Sequence, residues 1–220
     1  MMNRVTCCVA ALALVVSAGA GSAATVLAYD TAGGTALSAS ETGAGVTGGL
    51  LTAGPGVTAV PSATTFNFRN WDPTFTSGAQ AIAGDEVWSW GFSSTDAYNL
   101  TDMTLRLDRS GSGPQNFLIE AAVNGSMSFS TVFSSVLSTS TATTFVIDLS
   151  GLTHVTEAIF NLAAFGSSSN SGTFDLEGFD GDTGLRLTGN AVAAVPLPAG
   201  LPLIGAGLIG LWGLRRVRKT

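Results

Sequence analysis

A chain of 220 residues with a formal net charge of −6, 45% hydrophobic but only 11% charged residues, 28 glycines and two cysteines has room for one domain with a buried core once its terminal segments are set aside. Arg4 and the group Arg215, Arg216, Arg218 and Lys219 lie near the ends, leaving Arg69, Arg106, Arg109 and Arg186 against all fifteen acids between them, a net of −11. A surface of that sign repels phosphate backbones and excludes nucleic acid as a partner.

Residues 1–24 place Arg4 ahead of an apolar run from Val5 to Ala18, then small residues ending Ser22-Ala23-Ala24. That order is a secretory signal peptide, with cleavage after Ala24 and a mature chain from Thr25. Cys7 and Cys8 both fall inside the leader, so the exported part has no disulfide and no thiolate for catalysis or metal binding. Their position also excludes an acylated lipoprotein.

The exported middle reads as strand after strand. "DMTLRLD" sets Met103, Leu105 and Leu107 on one face and Thr104 and Arg106 on the other, and "TFVIDLS" sets Phe145, Ile147 and Leu149 opposite Val146 and Asp148. Such alternation is that of a strand with one face in a core. Similar stretches are "TVLAYD", "TTFNFRN", "EVWSWGF", "NFLIEAAV", "STVFSSVL", "EAIFNLAAF", "GTFDLEGF" and "GLRLTG", punctuated by turn signals such as "GSGPQN", "NGS" and "DGDTG". The Gly/Ala/Thr-rich segment from Thr31 to Thr65 reads as a long connection, with "GVTGGLL" as one brief strand. No stretch carries a helical apolar stripe. The expectation is an all-β, antiparallel, jelly-roll-like β-sandwich over residues 25–190.

Few residues in that sandwich carry chemistry. His154, the single histidine, follows a strand with no serine in a nucleophile setting, which reads as a turn residue. Asp85 with Glu86, or Asp175 with Glu177, are the carboxylate pairs that a glycosidase would need, in a chain where acids are common. No catalytic residue is assigned and no organic cofactor is implied. Asp175, Glu177, Asp180 and Asp182 cluster in "DLEGFDGDTG", an oxygen-rich turn that suits either Ca²⁺ or solvated, outward carboxylates. Trp88 and Trp90 share a strand face with Phe92, as core residues do. Trp71, in "RNWDPTF", falls on a loop, where it either stacks on a sugar ring or folds down over the sandwich edge.

The C-terminal stretch from Val195 to Leu214 is uncharged for twenty residues. As a helix at about 1.5 Å per residue it spans about 30 Å, the thickness of a bilayer core. The basic cluster that follows sets its orientation, with Arg215, Arg216, Arg218 and Lys219 in the cytoplasm and the rest outside. Just before the apolar part, Val195-Pro196-Leu197-Pro198-Ala199 holds two prolines that keep the backbone extended.

Motif at 195–199, apolar helix over about 200–214 and basic tail at 215–219 together resemble the VPLPA-CTERM variety of the PEP-CTERM sorting signal of Gram-negative bacteria, a resemblance covering 195–220. It implies recognition and removal of the tail by an exosortase, passage through the inner membrane as a precursor, and delivery to the cell surface or extracellular matrix among exopolysaccharides. "GVTGGLLTAGPGV", "AYNLTDMTLRLDRSGSGPQNFLIEAAVNG" and "GTFDLEGF" also resemble a β-sandwich domain found upstream of such signals and similar to carbohydrate-binding modules. Here Asp175-Leu176-Glu177 stands where that domain has Asp-Asn. The expected function is that of a non-catalytic surface or matrix protein associating with exopolysaccharide. The alternatives are a secreted glycan-active enzyme and a permanently anchored single-span surface protein.

Overall fold

Where apolar and polar residues alternate, the backbone extends and pairs, because only a sheet satisfies its amides while burying every second side chain. The computed structural model describes residues 23–31, 35–60, 62–138 and 141–192. Residues 1–22, read from the sequence as a leader, and the expected sorting motif at Val195–Ala199 and basic cluster at Arg215–Lys219 lie outside the described residues. In chain order the elements are β1 (Ala24–Asp30), β2 (Ala36–Leu37), β3 (Glu41–Thr42), β4 (Val46–Gly48), β5 (Leu51–Ala53), β6 (Thr58–Ala59), β7 (Phe66–Arg69), α1 (Gly78–Ala83), β8 (Val87–Arg109), β9 (Asn116–Val123), β10 (Ser130–Val136), β11 (Thr143–Asp148), β12 (Val155–Phe165), β13 (Phe174–Glu177) and β14 (Thr183–Ala191). All their pairings are antiparallel, and the expected all-β class holds.

The organising element is β8, which runs for 23 residues through both layers. Its first half pairs with β12 on one side and with β4 and β5 on the other, while β12 continues to β9 and β10. Its second half pairs with β11 on one side and with β13 and β14 on the other, which continue to β7 and β1. The two layers face each other across one core. Trp88 of the first half meets Phe66 of β7 at 5.3 Å and Phe174 of β13 at 5.1 Å between ring centroids, and Phe117 of β9 meets Phe145 of β11 at 5.0 Å.

Trp88, Trp90, Phe92, Met103, Leu105, Leu107, Ile147 and Leu149 are all buried, on the faces their alternation assigns them. Both ends of the domain meet, since Ala24 pairs with Gly189 and Thr25 with Thr188. Every strand and the whole described core therefore close within 24–191.

Three details differ from the sequence reading. "EVWSWGF" and "DMTLRLD" are halves of one strand, because the polar residues between them, Ser93 to Ala97, cross the rim of the sandwich instead of turning back. "GVTGGLL" is two strands, β4 and β5, separated by Gly49 and Leu50. Between Thr31 and Thr65 the described chain forms five short strands, of which β3 pairs with β1 and β4 packs close to it: a Cβ on Gly48 would lie 2.6 Å from Leu27 and 2.7 Å from Ala39.

A six-residue helix, α1, is present where none was expected. It is too short to show an apolar stripe. A Ser-x-x-Gln cap starts it: the Ser77 hydroxyl accepts from the Gln80 backbone amide, and the Gln80 side-chain Oε1 accepts from the Thr76 backbone amide at 2.9 Å. Gly78 lets it lie against Leu118, which a Cβ there would strike at 2.0 Å.

Candidate functional site

The outer face of the first layer carries an open groove of about 360 Å³ lined by β4, β5, β8 and β12 and the link between β4 and β5. Register explains its shape. Ser93, Gly91 and Ser89 of β8 point outward, opposite Glu157, Ile159 and Asn161 of β12. On the other side of β8, Thr47 pairs with Ser93 and Thr52 with Ser89.

The middle row is apolar and low, because Gly91 has no side chain and Ile159 stands beside it. Gly91 is required there: a Cβ would meet the Ala158 carbonyl oxygen at 2.3 Å. Leu50 overhangs this floor on a link held down from both sides. The Gly49 amide donates to the Gly91 carbonyl at 2.8 Å, and the Tyr29 hydroxyl donates to the Gly49 carbonyl at 2.7 Å. Leu50 is 56% exposed and Ile159 45% exposed, so two aliphatic side chains face solvent in the same depression.

Polar rows flank the floor. On one side the Ser89 hydroxyl donates to Asn161 Oδ1 at 2.7 Å, and Asn161 Nδ2 donates to Glu120 Oε1 of β9 at 3.2 Å. This chain of bonds orders three side chains across three strands. On the other side lie Thr47, Ser93 and the exposed Glu157. The groove thus offers an aliphatic strip between hydroxyl, amide and carboxylate groups.

Other candidate residues fall elsewhere. Trp71 is not a sugar platform: it is fully buried, packs on Trp88 and Phe174, and donates its Nε1 hydrogen to the Phe68 carbonyl at 3.0 Å. Burial of so large a ring outweighed the polar neighbours that suggested a loop. Asp85 and Glu86 share no cleft, since Asp85 is exposed in a left-handed turn while Glu86 is buried. Glu86 accepts from the Asp72 amide at 2.5 Å, and burial pushes it up to about 7 against that hydrogen bond, with the Asp72 charge adding to the rise. His154 is an exposed turn residue with φ 55°, its amide donating to Asn99 Oδ1 at 3.0 Å.

Of the four acids proposed for Ca²⁺, Asp175 and Glu177 lie on the outer face of β13, while Asp180 and Asp182 lie in the turn before β14. Asp180 is paired with Arg186 at 2.9 Å, and Arg186 sits over the Phe179 ring at 5.4 Å. Among the described residues no group of three or more His, Cys, Asp or Glu side chains is arranged to hold a metal ion. Asp175 instead packs between Asn67 of β7 and Asp108 of β8. Burial pushes it up to about 7, with the charges of Glu177 and Asp108 adding to the rise. Among the described residues no helix is long and apolar enough to cross a membrane.

No protein-family model and no curated protein matches this sequence. Among solved structures, a family 29 carbohydrate-binding module variant complexed with mannohexaose superposes at a TM-score of 0.42 with 9% identity, over 76% of this chain and 93% of that one. A second family 29 module, from Piromyces equi, gives 0.41 and 15% over 77% and 93%. An F5/8 type C domain from Bacteroides fragilis gives 0.33 and 12% over 58% and 74%. Below a TM-score of 0.5 these likenesses decide neither a family nor a ligand; the groove has to be read from its own residues.

The groove was not legible in advance. Its residues come from four strands and are individually ordinary, and only the register that sets Gly91 beside Ile159 makes a depression of them. A weak signal was present in the outward apolar residue Ile159, which breaks the polar side of an otherwise alternating strand.

Proposed function

We propose that this chain is an exported, non-catalytic surface or matrix protein whose jelly-roll-like domain holds a neutral polysaccharide in the groove over β8 and β12. Its C-terminal segment serves as a VPLPA-type sorting signal cut by an exosortase. The observation carrying the first part is the exposed Leu50–Gly91–Ile159 strip between ordered polar rows. The C–H face of a pyranose ring lies on aliphatic carbon, and its hydroxyls exchange hydrogen bonds with Thr52, Ser89 and Asn161. Glu120, Glu157 and the net charge of −11 disfavour anionic polymers.

Affinity electrophoresis of the 24–192 segment in gels containing neutral or anionic polysaccharides tests this. Neutral polymers, the host's own among them, are expected to retard the protein. Leu50→Asp and Asn161→Ala should each weaken retardation about tenfold, the loss of one good apolar or hydrogen-bonded contact. Absence of retardation, or retardation unchanged in both variants, removes the groove reading. Polymer shortened during incubation favours the glycan-active enzyme instead.

Support for the sorting part is the order of motif, apolar run and basic cluster along the C-terminal sequence, and the pairing of Ala24 with Gly189, which sets the first and last strands side by side, so that cleavage after Ala24 and within the tail removes from the strands only the first residue of β1. Surface-recovered protein is expected to end at or beside Val195–Ala199. With Pro196→Ala and Pro198→Ala combined, full-length precursor should accumulate in the inner membrane, whereas a plain anchor tolerates that change. Mass spectrometry finding intact Thr220 on the wild-type surface protein overturns the sorting reading in favour of a permanent anchor.

A further inference from the structure

Exposed sheet edges are templates for pairing with another chain, and proteins guard them with charge, proline or shortness. Most edges of this sandwich are guarded. β2, β3 and β6 are two residues long, and β3 carries Glu41 while β6 lies beside Arg69. β11 ends on Asp148, and its outward neighbours on β8 include Asp102 and Arg106.

β10 is different. Among the described residues it pairs with β9 alone, through six of its seven residues, leaving the hydrogen-bonding groups of its other side without a strand; a register shift between Thr131 and Phe133 is the one irregularity that interrupts it. Its sequence, STVFSSV, has no charge and no proline, and no charged residue occurs anywhere from Ala121 to Ile147. Apolar side chains stand in solvent at both ends of it: Met127 is 92% and Phe129 38% exposed just before the strand, and Val136 is 66% exposed at its end. The free backbone groups and the exposed apolar ends are separate observations that mark the same edge.

We propose that β10 is a self-association edge at which two copies of this chain join antiparallel about a two-fold axis. The pattern is self-complementary. Such an axis sets the start of one copy's β10 against the end of the other's, bringing Met127 and Phe129 of each beside Val136 of its mate. Charge selects a second copy as the occupant: each exported domain carries a net of −11, and the uncharged stretch around β10 is where two such surfaces meet with least repulsion. The remaining long-range repulsion is screened over about 8 Å at physiological salt, so the dimer tightens as salt rises. The joined molecule has two outward grooves and so two attachment points for one polymer. That last consequence rests on the groove reading; the dimer itself does not.

The test is sedimentation equilibrium of the 24–192 segment across the micromolar range, at low and at physiological salt. A monomer–dimer equilibrium that strengthens with salt is expected. Ser134→Lys and Val136→Lys, both at exposed positions, should each weaken it at least tenfold, the first by setting two lysines diagonally across the joint and the second by burying an ammonium against Met127 and Phe129 of the mate. Their melting temperatures at dilute concentration should match the wild type, which separates loss of association from loss of fold. Leu50→Asp should weaken polysaccharide retardation about tenfold and leave the dimer intact. The proposal is overturned by a wild type that stays monomeric throughout, by lysine variants that associate as tightly as the wild type, or by association that Val146→Lys on β11 removes and Val136→Lys does not.

Discussion

Replacing Trp88 by Ala costs about 3–5 kcal/mol, a large part of the 5–15 kcal/mol that holds a typical domain together. Trp88 is fully buried on the first half of β8, where its backbone pairs with Leu162 and Ala53. Its ring reaches across the core to Phe66, Phe68, Trp71 and Phe174 at centroid distances of 5.3, 5.9, 6.4 and 5.1 Å. Truncation therefore removes contacts from both layers at once and leaves a cavity that strand pairing prevents from collapsing. Urea unfolding of the 24–192 segment should show one cooperative transition with its midpoint lowered accordingly. The exposed substitution Val146→Ala should change the unfolding free energy by less than about 0.5 kcal/mol. A Trp88→Ala loss below about 1 kcal/mol means that the two layers are not held together through this ring.

Stability falls as pH rises from about 4 to 7, by about 2 kcal/mol. Asp175 and Glu86 drive this, since each is pushed up to about 7 from the ordinary carboxylate range, first of all by burial. A carboxyl whose folded pKa lies above its unfolded value binds its proton more tightly in the native state. Its contribution is complete below the unfolded value and lost as pH climbs through the folded one. Glu177 acts in the same direction, raised by burial and by Asp108 with Arg106 opposing. Asp72 and Asp148 act oppositely and only at lower pH, each held down by hydrogen bonds from Thr74 and Ser150 respectively.

The magnitude stays well short of the full shifts because solvent screens the outer face of β13. Asp175→Asn should remove much of the slope and raise stability at pH 8 by about 1–2 kcal/mol. It deletes a charge beside Asp108 and Glu177 and places an amide donor next to Asn67, whose buried Oδ1 has no hydrogen-bond partner among the described residues. Glu86→Gln should flatten the remainder. Denaturant midpoints measured from pH 4 to 8 decide the matter, and a wild type that gains stability across that window contradicts the assignment.

Strand content was legible because burial of one face imposes a period of two on any strand long enough to display it. β1, β9, β12 and β14 all lie where apolar alternation or an apolar run placed them. The short elements were not legible. β2 and β3 are two residues long, a single period with no repeat to read, and form because β5 and β1 offer partners. Trp71 illustrates the limit at one residue: Asp72 and Pro73 beside it read as loop, and the loop is there, but its indole turns inward onto Trp88.

The amino-acid sequence by itself determined the apolar N-terminal run behind Arg4, the apolar C-terminal run with its basic end, the charge asymmetry and the all-β class. Each of these is written in residues adjacent or alternating along the chain, where composition and period act directly on hydropathy, electrostatics and backbone pairing. Only the tertiary structure decided that β8 passes through both layers, that Glu86 is buried and Asp175 half-buried beside other acids, that Gly91 and Ile159 form one floor, and that β10 is left at an uncharged edge. These depend on which strand lies beside which and in what register. A one-residue slip exchanges inner and outer faces, so that information resides in the whole core's packing and in no local stretch of sequence.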